Sequence, residues 1–211
     1  MRITIIFCLL FLSSCFSGPV TPSWQKTDTT TTPAAIDSRT VATPSFGTGK
    51  VKIEVFADFQ CPACIMFSEN IQPIFEEYAA SGKLTIEFRQ FPLDMHKNAM
   101  GDALAALCSA EQWKYMEYKK WLYALEKWKS GQSVSDDERL LLAKQFGMDE
   151  AKFSTCLSSR AYEKQIESDI ALGESKGLEG TPTIYLDGIK IDMSLFRDRD
   201  GFRNFLDSRT K

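Results

Sequence analysis

The chain has 211 residues, 44% of them apolar, and is long enough to bury a core as one domain with an elaboration. Its net charge is −3 with acidic and basic residues mixed along the chain, which removes any electrostatic basis for binding nucleic acid. Six cysteines are unusual for a chain of this size in a reducing cytosol, so each has to be placed separately.

The N-terminal stretch MRITIIFCLLFLSSC carries Arg2, an apolar run from Ile3 to Leu12, and small residues before Cys15. The run is about half the length of a bilayer-spanning helix and reads as a secretory signal. Leu12-Ser13-Ser14-Cys15 resembles the bacterial lipobox, in which cleavage leaves the cysteine as a lipidated N-terminus. The competing reading is an ordinary signal with a coincidental cysteine. With residues 1–15 as the signal, Cys8 lies in the part to be removed. Phe16 rather than Asp follows Cys15, which permits delivery to the outer membrane of a two-membrane bacterium. Residues 16–48 are rich in Thr, Ser and Pro and show no apolar periodicity. They read as a flexible tether holding the rest of the chain about 30 Å from the lipid.

Residues 49–92 begin with KVKIEVFADF, in which Val51, Ile53 and Val55 alternate with Lys52 and Glu54 as a strand requires. Phe67, Ile71, Ile74, Phe75 and Tyr78 then fall at helical spacing, with Pro73 expected to kink that helix. After Gly82, LTIEFRQF reads as a second strand, and the strand–helix–strand order predicts a parallel pair. Residues 93–176 read as helices throughout. One opens on a capping box, Ser135 with Glu138, and ends at Gly147; another closes on Gly177. Within residues 177–211, TPTIYLDGIKID gives two short strands joined by Asp187-Gly188, followed by an amphipathic closing helix. The expected class is α/β, ordered βαβ, helical block, ββα.

Cys61 and Cys64 stand two residues apart at the first strand-to-helix junction, with Pro62 in the first helical turn. Unsatisfied backbone N–H groups and the helix dipole favour a thiolate there, and can lower a cysteine pKa from about 8.5 to roughly 3.5–7.5. Cys64 lies on the same helical face. The expectation is an exposed attacking Cys61 and a buried resolving Cys64. A zinc site would need about four ligands, and His96 is the chain's only histidine. A purely structural staple would close almost no loop. Redox chemistry is the reading that survives, with no metal and no cofactor beyond the cysteine pair.

DFQCPAC, FPLDMH, ALCSAEQWKYMEY and GLEGTPTIYLDG, in that order, resemble the DsbA-like branch of the thioredoxin superfamily over about residues 50–210. The resemblance implies a thioredoxin fold split by a helical insertion, and thiol–disulfide exchange on exported proteins. It also implies that Thr181-Pro182 is the loop in which a cis proline faces the cysteine pair and presents the Thr181 backbone to an extended substrate. Two departures stand out. Ala63 occupies the place of a histidine in DsbA. Val55 occupies the place where many relatives carry a buried carboxylate, and the alternation turns Glu54 to the other face. Asp58 is the nearest acidic alternative and is read as a polar residue at the strand's end. His96 is read as capping or orienting the next helix, and the aromatic-rich helix around Trp113–Trp128 as mainly core.

Cys108 and Cys156 remain, each among apolar neighbours. Two buried free thiols are one reading. The even mature count in an oxidising compartment favours a structural disulfide. The leading expectation is a lipid-anchored, monomeric envelope protein that oxidises thiols of incompletely folded exported proteins and is reoxidised by a membrane partner. The alternatives are a reductase or isomerase with the same site, or a module that binds thiol clients without turnover.

Overall fold

The computed structural model describes residues 43–211. Residues 1–42, including the signal segment, Cys15 and most of the Thr/Ser/Pro-rich stretch, lie outside the described residues.

The strand that alternation predicts forms as β2, Val51–Ala57, and runs parallel to β3, Leu84–Gln90, with Ile53 opposite Ile86 and Val55 opposite Phe88. On its other edge β2 pairs antiparallel with β4, Thr183–Leu186, which is joined to β5, Ile189–Lys190, by the Asp187-Gly188 turn. Both turn residues have positive φ, 46° and 80°, which a two-residue hairpin turn matching strand twist demands. The Asp187 carboxylate also accepts from the Lys52 N–H at 2.8 Å, pinning the turn to β2. A short β1, Ser45–Phe46, pairs antiparallel with β3 and completes the order β1-β3-β2-β4-β5. The last residues of the stretch read as tether are therefore part of the sheet: strand pairing satisfies backbone groups that composition alone gave no reason to order.

Central position overrides alternation in β2, where Ile53, Glu54, Val55 and Phe56 are all buried. Ile53 and Val55 belong to the main core with Phe67, Phe75, Phe196 and Phe202. Phe75 and Phe202 meet edge to face at 5.2 Å, and full burial of one such ring contributes about 2–3 kcal/mol. Phe56 points the other way, against Phe91 and Tyr185. Glu54 on that side is held by Lys176 at 2.7 Å and Arg89 at 3.6 Å.

The helix after β2 is two helices, α1 (Pro62–Asn70) and α2 (Gln72–Ala80), rather than one kinked helix. Pro73 cannot donate to the preceding turn, and the chain restarts at Ile71 with Pro73 in the first turn of α2, where a missing N–H is harmless. The insertion comprises α3 (Ala99–Ala110), α4 (Tyr115–Lys129), α5 (Asp136–Gln145), α6 (Glu150–Ser158) and α7 (Glu163–Ser175). Ser135 and Glu138 form the reciprocal capping box at the start of α5. A disulfide joins Cys108 of α3 to Cys156 of α6, 48 residues apart, with Cα atoms 5.8 Å apart. Buried Asp169 ties α7 to the sheet by accepting from the Gln90 N–H at 3.0 Å and pairing with Arg89 at 3.1 Å. A 3-10 turn, Met193–Arg197, leads into α8, Arg199–Arg209, which closes the core through Phe202 and Leu206. This is a thioredoxin fold interrupted by a helical insertion.

The aromatic α4 region is only partly core. Tyr115, Tyr118 and Tyr123 are buried, but Trp113 and Trp128 are half and more than three-quarters exposed. Trp128 lies in the last turn of α4 and Trp113 precedes its first residue, where helical periodicity has little hold.

Candidate active site

The site sits where β2 ends. Cys61 is the residue before the first helical turn of α1, with extended backbone angles and Pro62 directly after it. Its N–H closes a turn onto the Asp58 carbonyl at 3.3 Å, and its carbonyl accepts from the Ile65 N–H at 3.0 Å. Both cysteines are free thiols. Cys64 is fully buried and Cys61 keeps 7% of its surface, so the attacking position is recessed rather than exposed. The Thr181–Pro182 peptide bond is cis, and the loop it shapes lies against Cys61, whose thiol donates to the Thr181 carbonyl at 3.3 Å. The Thr181 hydroxyl has no other partner and faces both sulfurs, free to donate to whichever is ionised.

The two thiols are driven apart electrostatically. A hydrogen bond from the Cys64 thiol, reinforced by the Thr181 hydroxyl and by the backbone N–H groups of Ala63 and Cys64 at the helix start, lowers Cys61 from 9.0 to about 5 against the opposing effect of burial. Burial, followed by the neighbouring Cys61 charge, pushes Cys64 well above 9.0. At neutral pH the arrangement is a thiolate at residue 61 and a thiol at residue 64. Such a pair can attack a disulfide through Cys61 and resolve the mixed disulfide through Cys64.

Asp58 is no surface residue at a strand end. It is 1% exposed, and its carboxylate accepts from the Gln60 N–H (2.7 Å), the Leu93 N–H (2.8 Å) and His96 Nδ1 (2.7 Å). Its own N–H donates to Cys64 Sγ at 3.5 Å. His96 meets the start of α3 only through its carbonyl, which accepts from the Ala99 N–H at 3.1 Å; Asn98 holds the cap position, and the His96 ring is engaged by Asp58. The return of the β3–α3 loop to the end of β2 creates both corrections, a contact no local window displays. Val55 meanwhile lines a small cavity with Phe59, Phe88, Lys119 and Tyr123. Lys119 is buried there, its ammonium over the rings of Phe88 (4.8 Å) and Tyr123 (5.5 Å), and burial lowers it from 10.5 to about 8.

Beside Cys61 runs a groove of about 1130 Å³, lined among others by Pro62, Ile65, Met66, Met95, His96 and Glu126. Met66 and Met95 are largely exposed, adaptable apolar surface. No group of three or more His, Cys, Asp or Glu side chains arranged to hold a metal occurs among the described residues.

A family model described as thioredoxin matches residues 47–208. The chain belongs to the thioredoxin family. Disulfide bond formation protein D of Bacillus subtilis is 26% identical over 171 residues, covering 76% of this chain and 73% of that one. Probable disulfide bond formation protein D of Bacillus anthracis is 25% identical over 142 residues, and the match spans 65% of each chain, just under two thirds of that relative's length. Among solved structures, oxidised BdbD from Bacillus subtilis superposes with a TM-score of 0.67 at 23% identity, covering 80% of this chain and 92% of that one. MdbA, a thiol-disulfide oxidoreductase from Corynebacterium diphtheriae, gives 0.66 at 19% identity, with 81% and 91% covered. These two superpositions describe the fold that this family member shares.

Proposed function

We propose that this thioredoxin-family chain is a thiol–disulfide oxidoreductase that works as an oxidase of exported proteins, with Cys61 as nucleophile and Cys64 as resolving residue. The observation that carries the reading is the split between the two thiols, Cys61 lowered to about 5 and Cys64 raised. A stabilised Cys61 thiolate stabilises the dithiol form and so makes the disulfide the better electron acceptor. The relatives named for disulfide bond formation support the same direction.

In the working cycle a client thiolate attacks Cys61 Sγ of the oxidised pair. The Cys61–Cys64 bond breaks, and Cys64 leaves and takes up one proton. A second client thiolate then attacks the client sulfur of the mixed disulfide, and Cys61 departs as a stable thiolate. Two electrons pass from client to protein; of the two client protons, one stays on Cys64 and the other goes to solvent. Asp58 assists by donating its N–H to the departing Cys64 sulfur, and its carboxylate with His96 forms the polar path from the groove that the carboxylate-free Val55 position does not supply. Thr181 and Pro182 receive the extended client beside Cys61. A membrane redox partner reoxidises the pair. A lipid anchor at Cys15, following a signal at 1–15 and preceding a tether from residue 16, would hold this activity on the extracytoplasmic face of the envelope. The Cys108–Cys156 disulfide, in a structural role, fits an oxidising compartment.

Alkylating the thiols in living cells tests the direction. An oxidase is trapped mainly as the Cys61–Cys64 disulfide, and Cys64→Ala accumulates mixed disulfides with exported proteins. A pool trapped mainly as dithiol reverses the assigned electron flow, and absence of mixed disulfides overturns the exchange mechanism.

A further inference from the structure

Three of the five insertion helices, α3, α4 and α5, each send one charged side chain into a common interior point: Asp102, Glu126 and Arg139, all less than 5% exposed. Arg139 grips a single oxygen of Asp102, Oδ1, through Nε and Nη2 at 2.9 Å each. Its Nη1 reaches the exposed Asp136 at 2.6 Å. Gly101 makes room for this grip, since a Cβ there would stand 2.8 Å from Arg139 Nη2. One guanidinium thus serves two buried carboxyl groups, and one buried negative charge is left over.

Two oxygens show where that excess falls. Asp102 Oδ2 and Glu126 Oε1 are buried and have no donor at all, and the two carboxyl groups interact directly with each other. Facing carboxylate oxygens repel, and unpaired buried charge is costly; a single proton between them removes both problems. Three elements face the pair among the described residues. Arg139 and Asp136 come from α5, and α4 adds Tyr118, which lies near the Asp102 charge and donates its hydroxyl to the Arg139 carbonyl at 3.1 Å. From the loop before α1 come Gln60, whose Nε2 donates to Glu126 Oε2 at 3.4 Å, and Asp58 behind it. Burial, with Glu126 as the opposing neighbour of Arg139, pushes Asp102 up to about 8, and burial also raises Glu126.

Gln60 connects this pair to the nucleophile. It directly precedes Cys61, and its N–H donates to Asp58 Oδ1 while its side-chain oxygen accepts from the Asn98 N–H at 2.9 Å. Glu126 also lines the groove beside Cys61. We propose that Asp102 and Glu126 hold one proton between them and act as a positioning pair for Cys61: with the proton they fix Gln60 in place, and without it they put a further negative charge on the rim of the groove. The groove's charge would then depend on pH on the alkaline side of neutrality, independently of the cysteines. The catalytic consequence rests on the proposed oxidoreductase activity; the shared proton does not.

Two measurements on the reduced full chain separate these points. Infrared difference spectra should show one protonated carboxyl at pH 7 that is lost by about pH 9 and is missing from both Asp102→Asn and Glu126→Gln. The rate at which anionic iodoacetate alkylates Cys61, divided by the rate for neutral iodoacetamide, cancels the thiolate fraction. In the unmodified protein this ratio should fall by about threefold over the same pH range, the size expected for one unit charge near a protein surface. In Glu126→Gln the fall should be smaller by about that factor, leaving only what the buried Lys119 contributes as it loses its charge in the same range. Absence of the protonated carboxyl in the unmodified protein overturns the proposal even if neither variant folds, and so does a fall in the ratio that is as large in Glu126→Gln as in the unmodified protein. If both results hold while client oxidation is absent, the oxidoreductase reading fails and the shared proton stands.

Discussion

The chain carries two cysteine pairs inside the described residues, and they differ in every physical respect that matters. Cys61 and Cys64 share one helix start, separated by two residues, and Cys61 keeps a small exposed fraction. Cys108 and Cys156 come from different helices, 48 residues apart, and are buried and joined. A link between near neighbours constrains almost no chain and leaves room for chemistry; a link across a long loop constrains much and offers none. Environment assigns the task. The hydrogen bond from Cys64, then the Thr181 hydroxyl and the N–H groups at the start of α1, lower Cys61, while burial raises Cys64, so one pair is divided into thiolate and thiol.

The contrast breaks most sharply on substitution. Cys61→Ser should lower disulfide exchange with a thiol peptide by about three orders of magnitude or more, as loss of a nucleophile does, with the urea unfolding midpoint of the reduced protein near its original value at about pH 5 and below it at pH 7, where the Cys61 thiolate stabilises the fold. The double change Cys108→Ala with Cys156→Ala should do the reverse. Urea unfolding should show a loss of about 4 kcal/mol, and the ionisation midpoint of Cys61 should not move. A shifted Cys61 midpoint would mean that the two pairs are coupled. Asp58→Ala sharpens the comparison by touching only the first pair. It strands the N–H groups of Gln60 and Leu93, and should cost about 2–3 kcal/mol of stability together with a slower resolving step in stopped-flow exchange. Ser135→Ala is the smallest of these: losing the cap of α5 should cost about 1 kcal/mol by thermal unfolding and leave exchange unchanged.

What could be read before the structure was what short range decides. The cysteine spacing with Pro62, the Ser135–Glu138 box and the Asp187-Gly188 turn are each complete within a few residues, and each forms. The order of strands and helices follows from periodicity, and the parallel β2–β3 pair from the connection between them. What could not be read was set by meetings of distant segments. Asp58 is buried because Leu93 and His96 return to it, and nothing around DFQC announces that. Asp102, Glu126 and Arg139 are ordinary charges on three amphipathic helices until packing puts them together. Pro73 predicted a kink within one helix, but the chain ends α1 and restarts α2 at Ile71, which is buried in the core.

The central claim is that the hydrogen bond from Cys64, with Thr181 and the start of α1, ionises Cys61 while burial keeps Cys64 neutral. Because folded Cys61 ionises more readily than unfolded Cys61, the unfolded chain binds the extra proton between about pH 5 and 9. Stability of the dithiol form therefore rises across that window and is lost as pH falls through about 5. Above about 9, Cys64, still protonated in the fold, acts in the opposite sense. The direct measurement is the thiolate absorbance of the reduced full chain against pH, with Cys61→Ser as reference. A midpoint at about 5 that vanishes in Cys61→Ser is the predicted result. A single transition near 9, unchanged by that substitution, would contradict the account.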